Sequence, residues 1–253
     1  VGNIPLTVGP ILVAEGMTLR ISGAVPVNGT GAGATIDGQS LSGLFDVAAG
    51  GTLHLEAVTL KNGSALTTGG AISATQATIF LNDCDVISNS ANSFGGGVWA
   101  DRSTVSVTGG SFIDNASSGQ GGAIALFSSN LTMTDSVVEG NEAFTGGGIH
   151  VLGVRGSPWE GTTCMFERCT FSDNNATIPS DATRFPGSAF DPISGGGAVF
   201  SRYADLTVDN CTFSGNEAMA GGGALNTVFS NLTVTGCKFH DNMSGIAGAG
   251  AYI

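Results

Sequence analysis

A two-part repeat that returns about every 26 residues limits the possible folds of this chain more than any other feature. Its first part is a glycine cluster that leads into small apolar residues, and the copies begin at Gly69, Gly95, Gly121, Gly146, Gly195 and Gly221. Its second part is an apolar residue followed three positions later by asparagine, at Asn89, Asn115, Asn141, Asn174, Asn216 and Asn242. A fixed period of this length is typical of stacked units that are not stable individually, so the repeat predicts a solenoid.

The pattern inside one period predicts short strands. Two stretches that alternate apolar and polar residues follow each glycine strand, and a change of spacing between them indicates a bend. Three short strands per period describe one coil of a parallel β-helix, right-handed by the general rule for parallel crossovers. The sequence therefore predicts an all-β fold of about nine coils. One buried column of the second strand is expected to contain Ile79, Val105, Leu131, Cys164, Leu206 and Leu232.

The repeated asparagines predict a structural ladder. An asparagine amide at a tight corner bonds backbone groups of the next coil, which the strands leave without partners. We expect this ladder at Asn89, Asn115, Asn141, Asn174, Asn216 and Asn242.

Residues 1–253 are interpreted as one domain with three departures from the repeat. Residues 1–50 carry irregular first coils, and loop insertions occupy residues 153–161 and 176–194. The last residues, Gly248 to Ile253, begin another glycine-plus-strand unit. We therefore expect the chain to be a segment of a longer one.

Composition argues against two classes of partner. Lys and Arg total 8 against 20 Asp and Glu, which gives a formal charge of −12. A negative field of this kind repels nucleic-acid phosphates and anionic lipids. No apolar stretch reaches the roughly 18 residues of a membrane-spanning helix. The sequence thus predicts neither nucleic-acid binding nor a membrane span.

The repeats also resemble those of known families. The Gly-Gly-Ala-Ile and Phe-x-x-Asn pairs resemble the repeats of chlamydial polymorphic outer-membrane proteins. Residues 34–38, 53–56 and 61–63 resemble the wider pectate-lyase-like β-helix superfamily. This resemblance implies a right-handed parallel β-helix. It leaves function open, because the superfamily contains adhesins, passenger domains, surface filaments, polysaccharide lyases and epimerases.

A lyase on this fold would require a carboxylate cluster for calcium and an exposed base on one sheet face. The outward positions of the glycine strand are Ser73, Trp99, Ala125, His150, Phe200 and Asn226, with His150 as their one base. Glu167, Asp205 and Asp209, in adjacent coils, form the best calcium candidate, although a solvated acidic surface is the favoured interpretation. The sequence therefore predicts no catalytic residue and no cofactor.

Cysteines and glycosylation sequons complete the set of candidate sites. Cys84, Cys169, Cys211 and Cys237 share one column, and parallel strands aim their sulfurs poorly for disulfides, so free thiols are favoured. Accessible N-glycosylation sites are predicted at Asn28, Asn130, Asn175, Asn210 and Asn231. The sequons at Asn115 and Asn242 lie in the corner column and are expected to be buried and unmodified.

The favoured hypothesis is a non-enzymatic, extracellular or cell-surface protein with a structural or adhesive role, in a fibre or appendage. It rests on the long stack, the low charge and three aromatic residues expected to be exposed, Trp99, Trp159 and Phe200. The expected partners are other chains of the same assembly, end to end or through residues 176–194, and carbohydrate. The alternative is a polysaccharide-binding or polysaccharide-cleaving enzyme of the lyase or epimerase type. A third hypothesis, ice binding, rests on outward threonines such as Thr104 and Thr132.

Overall fold

The computed structural model describes residues 3–5, 9–23, 33–154, 161–177, 195–246 and 248–253. These residues form strands, turns and bends in a parallel β-helix, in which each complete coil contributes one strand to each of four parallel sheets. We name the sheets I to IV in the order in which the chain passes through them after a glycine cluster. Within the described ranges, no helix is long and apolar enough to cross a bilayer.

Sheet I follows the glycine clusters and has nine strands. They are Ile11–Val13, Phe45–Val47, Ile72–Thr75, Val98–Asp101, Ile124–Phe127, Ile149–Leu152, Val199–Arg202, Leu225–Val228 and Ala251–Tyr252. The glycines before it let neighbouring coils approach closely. A Cβ atom added at Gly122 would lie 2.2 Å from the carbonyl oxygen of Gly147. Only glycine fits such a contact, which explains the first half of the repeat.

Sheet II has eight strands of five residues. They are Thr18–Ser22, Thr52–Glu56, Thr78–Asn82, Thr104–Thr108, Asn130–Thr134, Thr163–Glu167, Asp205–Asp209 and Asn231–Thr235. Their alternate residues point into the core. Ile79, Val105, Leu131, Cys164 and Leu206 are directly paired from coil to coil and buried. Leu232, the sixth member of the predicted column, is half-buried because sheet II ends at its strand.

Sheet III has nine strands. They are Asn3–Pro5, Ala34–Asp37, Val58–Lys61, Asp85–Ile87, Ser111–Ile113, Val137–Glu139, Thr170–Ser172, Thr212–Ser214 and Lys238–His240. Its inward column ends in a phenylalanine stack. The rings of Phe171 and Phe213 lie 4.7 Å apart, and those of Phe213 and Phe239 lie 4.9 Å apart, both nearly parallel.

Sheet IV is a fourth strand position, whereas the sequence pattern predicted three strands per coil. Its seven strands are Ser64–Ala65, Ser90–Ala91, Ala116–Ser117, Glu142–Ala143, Asn175–Ala176, Glu217–Ala218 and Met243–Ser244. Each has two residues and follows directly after the corner. Two residues are too few to show the alternation by which a strand is recognised in a sequence.

A column of asparagine side chains connects sheets III and IV. The Oδ1 atom of Asn141 accepts bonds from the backbone N of Asn115 at 2.9 Å and from its Nδ2 at 3.0 Å. The Nδ2 atom of Asn141 donates to the carbonyl of Phe112 at 2.9 Å and to Oδ1 of Asn174 at 2.9 Å. The same pattern recurs from Gly63 to Asn242, and its members from Asn89 to Asn216 are buried. Each asparagine thus replaces backbone partners that the corner removes.

The turn before this ladder alternates aspartate and glycine along the stack. Asp114, Asp173 and Asp241 adopt positive φ at this turn, as do Gly140 and Gly215 between them. A Cβ at Gly140 would lie 2.6 Å from Oδ1 of Asp114, and one at Gly215 would lie 2.2 Å from Oδ1 of Asp173. Each carboxylate therefore covers the glycine of the next coil. The alternation keeps these like charges two coils apart.

The described parts of residues 1–50 fold into the same lattice despite their irregular sequence. Thr18–Ser22 pairs in register with Thr52–Glu56, and Ala34–Asp37 pairs with Val58–Lys61. Asn3–Pro5 adds a further strand beside Thr35 to Asp37. The two insertions predicted at 153–161 and 176–194 lie mainly outside the described residues, which exclude 155–160 and 178–194.

Candidate functional site

A groove of about 600 Å³ opens where sheet I turns into sheet II in three successive coils. Its lining residues are Val154, Gly161, Thr162, Tyr203, Ala204, Asp205, Phe229 and Asn231. Backbone bonds fix the turns that carry them. The N–H of Asp205 donates to the carbonyl of Thr162 at 2.9 Å, and that of Tyr203 donates to the carbonyl of Val228 at 3.2 Å. The groove is therefore built on the rigid stack.

Two aromatic residues form one wall of the groove. Tyr203 and Phe229 occupy the turn position held by Gln76, Arg102 and Ser128 in other coils, and all five have positive φ. Values of 55° for Tyr203 and 51° for Phe229 are unfavourable for bulky side chains. Their rings stack 5.4 Å apart at an interplanar angle of 8°, and Phe229 is 70% exposed. Strained residues of this kind concentrate at functional sites.

A cation lies beside the aromatic pair. The Cζ atom of Arg202 is 5.1 Å from the ring centroid of Tyr203 and 5.8 Å from that of Phe229. At these distances the guanidinium interacts favourably with both rings. This contact helps to hold the aromatic pair in one orientation.

The polar wall consists of a carboxylate, an amide and a hydroxyl. The Nδ2 atom of Asn231 donates to Oδ1 of Asp205 at 2.7 Å, which orients the carboxylate. Both residues are exposed. Thr162 contributes the hydroxyl, and its side chain is only 3% exposed.

Thr162 interrupts a ladder of serine hydroxyls that runs along this turn. The Oγ atom of Ser103 accepts from the N–H of Ala77 at 3.0 Å, and that of Ser129 accepts from Ser103 at 2.9 Å. Beyond the groove, Ser230 accepts from Ala204 at 3.2 Å. Among the described residues, the corresponding oxygen of Thr162 has no hydrogen-bond partner. A buried hydroxyl without a partner is costly, so a ligand group that bonded this atom would remove that cost.

These features suit a ligand with both an apolar face and hydroxyl groups. An exposed aromatic ring offers a flat apolar surface, and a carboxylate accepts hydrogen bonds from hydroxyls. A few polar groups beside an aromatic surface are typical of small-molecule sites. Sugars have this combination of an apolar ring face and a hydroxyl-rich edge.

The structure does not bring the predicted calcium ligands together. Glu167 and Asp209 are paired across adjacent coils, but Asp205 is paired with Thr163 at the other end of the strand. Asp209 lies four residues after Asp205 on the same strand, a separation of about 13 Å. Among the described residues, no three His, Cys, Asp or Glu side chains are grouped to hold a metal ion. Asp205 belongs to the groove instead.

The acidic residues beside Glu167 are paired with an arginine. Arg168 contacts Glu167 and bonds both carboxylate oxygens of Asp135, at 2.7 and 2.9 Å. The hydrogen bond from Arg168 lowers the pKa of Asp135. This network is a surface ion-pair cluster that links two coils.

The outward column of sheet I is more buried than the sequence predicts. Phe200 is 5% exposed and His150 is 2% exposed, and their rings stack 4.8 Å apart. Desolvation lowers the pKa of His150 to about 3, and its Nδ1 lies 3.0 Å from Oγ1 of Thr145. The prediction of an exposed Phe200 is wrong because alternation identifies a sheet face but not the side chains that cover it. Trp99 is half-buried, and Trp159 lies outside the described residues.

The predicted glycosylation sites differ in exposure. Asn130, Asn210 and Asn231 are exposed, and Asn175 is half-buried. Asn28 lies outside the described residues. Of the two sequons in the corner column, Asn115 is fully buried and Asn242 is half-buried.

All five cysteines are free thiols. In the shared column, Sγ of Cys211 accepts from the N–H of Cys169 at 3.3 Å, and Sγ of Cys237 accepts from Cys211 at 3.4 Å. Burial raises the pKa of Cys164 to about 12 and that of Cys84 to about 11. The thiols therefore act as core side chains and weak acceptors.

The outward face of sheet II, the basis of the ice-binding hypothesis, is chemically mixed. Thr104, Asn130, Thr163 and Asp205 form one column in successive coils. In the next column, Met165 is 40% exposed and interrupts the hydroxyl-bearing residues.

Sequence reasoning did not identify Thr162, Tyr203 or Phe229 as a site. A signal for two of them exists, since aligning the coils places Tyr203 and Phe229 at a turn position that preceding coils fill with a polar residue or glycine, as at Ser128 and Gly153. Thr162 carries a hydroxyl like the serines of its column, so the sequence does not show that this hydroxyl lacks a hydrogen-bond partner among the described residues.

Comparisons with known proteins support the fold. Residues 154–252 match a family model described as the right handed beta helix region. Neither curated proteins nor solved structures gave a match, and the resemblance to chlamydial polymorphic outer-membrane proteins is not confirmed. The family match and the four parallel sheets identify the chain as a right-handed parallel β-helix.

Proposed function

We propose that this protein is a non-enzymatic, extracellular structural or adhesive β-helix of a cell-surface fibre or appendage, which contacts carbohydrate through the groove. The stacked pair of Tyr203 and Phe229 carries the proposal. The two rings lie 5.4 Å apart on adjacent coils, and the outer one is 70% exposed. A rigid scaffold that presents side chains on its turns is a common arrangement for binding.

One further feature supports an extracellular location. Three sequon asparagines, Asn130, Asn210 and Asn231, are exposed at or beside turns. Glycopeptide mass spectrometry of the native protein from a eukaryotic source is expected to find sugar on Asn130 or Asn210 and none on Asn115. Asn231 is expected to be unmodified, because its Nδ2 atom bonds Asp205 in the groove. Occupancy at Asn115 would contradict the buried corner column.

The test of adhesion compares two aromatic residues. Phe229→Ala removes the exposed ring of the groove, whereas Phe80→Ala removes a half-buried outward ring of sheet II that contacts His54. The immobilised protein is presented with a panel of soluble glycans. We expect Phe229→Ala to reduce binding about tenfold or more and Phe80→Ala to leave it unchanged. Equal binding by both variants would exclude the groove as the adhesive contact.

The same experiment addresses the enzymatic alternative, which Asp205 supports because its carboxylate lines the groove. The glycans are recovered after incubation and analysed by size. We expect their lengths to be unchanged. Shortened glycans, with the activity lost in Asp205→Asn, would replace the adhesive proposal by a polysaccharide-cleaving enzyme.

A further inference from the structure

We infer that the groove selects neutral sugars and discriminates against sugars that carry a carboxylate. This inference rests on the proposed carbohydrate contact and specifies the class of ligand. It comes from the charge at the polar wall, from the unpartnered hydroxyl of Thr162 and from the position of Arg202.

The polar wall is suited to uncharged hydroxyl groups. The carboxylate of Asp205 offers only hydrogen-bond acceptors. Asn231 holds its Oδ1 at 2.7 Å, so the carboxylate is oriented before a ligand arrives. Hydrogen bonds from sugar hydroxyls to this group are charge-assisted. A ligand carboxylate in the same place would be repelled by the carboxylate of Asp205, and neither group could donate a hydrogen bond to the other.

Thr162 provides a second contact of the same kind. Thr162 lines the groove, and its hydroxyl oxygen is buried and has no partner among the described residues. A threonine hydroxyl both donates and accepts, which matches one sugar hydroxyl in either role. A ligand hydroxyl at this point would satisfy a group that the serine ladder leaves without a bond.

Arg202 is a nearby cation, and a guanidinium that reached the ligand would favour sugars that carry a carboxylate. Its guanidinium lies beside Tyr203 and Phe229, with Cζ at 5.1 and 5.8 Å from the two ring centroids. This position keeps the guanidinium beside the two aromatic rings. The net charge of −12 also repels anionic ligands at long range. Repulsion by Asp205 and by the net charge therefore outweighs attraction by Arg202, and neutral sugars are favoured.

The test uses calorimetric titration of the whole chain with a panel of neutral hexose tetramers and with tetragalacturonate. We expect at least one neutral tetramer to bind and tetragalacturonate to bind about tenfold or more weakly. Adding salt to about 0.15 M should narrow the difference, because it screens the exposed carboxylate. Asp205→Asn should reduce the difference in affinity between the neutral tetramer and tetragalacturonate further. Thr162→Val should weaken the binding of the neutral tetramer.

The matched control is Asp209→Asn, which removes the same charge from the far end of the same strand. This variant should leave the ratio of the affinities for the neutral tetramer and tetragalacturonate unchanged. Tighter binding of tetragalacturonate, lost in Arg202→Gln, would overturn the inference while the adhesive function stands. An equal effect of Asp209→Asn and Asp205→Asn would also overturn it, because net charge alone would then set the ratio. Absence of binding by every sugar of both classes would overturn the inference and the carbohydrate contact together.

Discussion

The asparagine ladder predicts that one buried amide in mid-stack has a large effect on stability. In Asn141→Ala, the backbone N–H of Asn115 loses its acceptor at 2.9 Å, and the carbonyl of Phe112 loses its donor at 2.9 Å. Asn141 is fully buried, so water cannot replace these bonds without a rearrangement. The variant therefore leaves two backbone groups without partners in the core.

The magnitude follows from those two groups. An unsatisfied buried donor or acceptor costs about 1–3 kcal/mol. The vacated volume adds about 1 kcal/mol. We therefore expect Asn141→Ala to reduce the free energy of unfolding by about 3–7 kcal/mol. The matched control is Asn92→Ala, an exposed asparagine of the same stack, which should cost less than about 0.5 kcal/mol.

Urea unfolding followed by circular dichroism measures the free-energy difference, and amide hydrogen exchange locates it. Exchange at the N–H of Asn115 should accelerate more than exchange at that of Asn89, which keeps its bond to Oδ1 of Asn115 at 3.0 Å. Coils contact only their neighbours, so the effect should fall off along the stack. Equal losses of stability in the Asn141 and Asn92 variants would refute the ladder as a stabilising element.

The charged variant Asn141→Asp adds a pH test of the same reasoning. A carboxylate would face the carbonyl of Phe112 and Oδ1 of Asn174, where the native amide donates. Burial and these acceptors raise the pKa of the introduced carboxyl in the folded state above about 3.9. The folded state then binds its proton more tightly, so stability should be highest at low pH and fall as pH rises. Stability that rose with pH in this variant would contradict the assigned donor direction.

Three further predictions concern the core, the coil contacts and the thiols. Phe213→Ala should cost about 3–5 kcal/mol because its ring stacks between two others, whereas the exposed Thr207→Ala should cost less than about 1 kcal/mol in the same melting comparison. Gly122→Ala places a methyl group 2.2 Å from a carbonyl oxygen and should cost about 3 kcal/mol, whereas Gly43→Ala, with its nearest atom at 3.4 Å, should be tolerated in urea unfolding. Iodoacetamide should modify the half-buried Cys237 in the native protein and the other four thiols only after denaturation, as counted by mass spectrometry.

The sequence predicts the lattice because the lattice repeats. Val105 pairs with Ile79 on one side and Leu131 on the other, so a 26-residue offset along the chain becomes one step in space. A glycine is required wherever two coils approach as closely as at Gly122. Similar close contacts recur at Gly70, Gly96 and Gly197, so the repeated glycines are visible in the sequence.

Two kinds of feature could not be predicted from the repeat: the burial of side chains on the outward face of a sheet, and strands of only two residues. The two-residue strands of sheet IV have no internal period. His150 and Phe200 alternate as outward residues should, yet both are buried, and their rings stack on each other. Asp205 and Asp209 are close in sequence and share one face, but the length of the strand separates them. In each case the outcome depends on the three-dimensional position of a side chain or a very short strand, which the 26-residue period does not specify.

The groove illustrates why function in such a protein lies in exceptions to its pattern. A residue that repeats in every coil is explained by stacking alone, as the serine hydroxyls at Ser103 and Ser129 show. At Thr162 the same type of hydroxyl is buried and has no partner among the described residues. One and two coils further on, Tyr203 and Phe229 adopt a backbone conformation that disfavours large side chains. The unpartnered hydroxyl and the positive φ values both cost stability locally. Their convergence on one groove is best explained by a ligand that uses the hydroxyl and covers the rings.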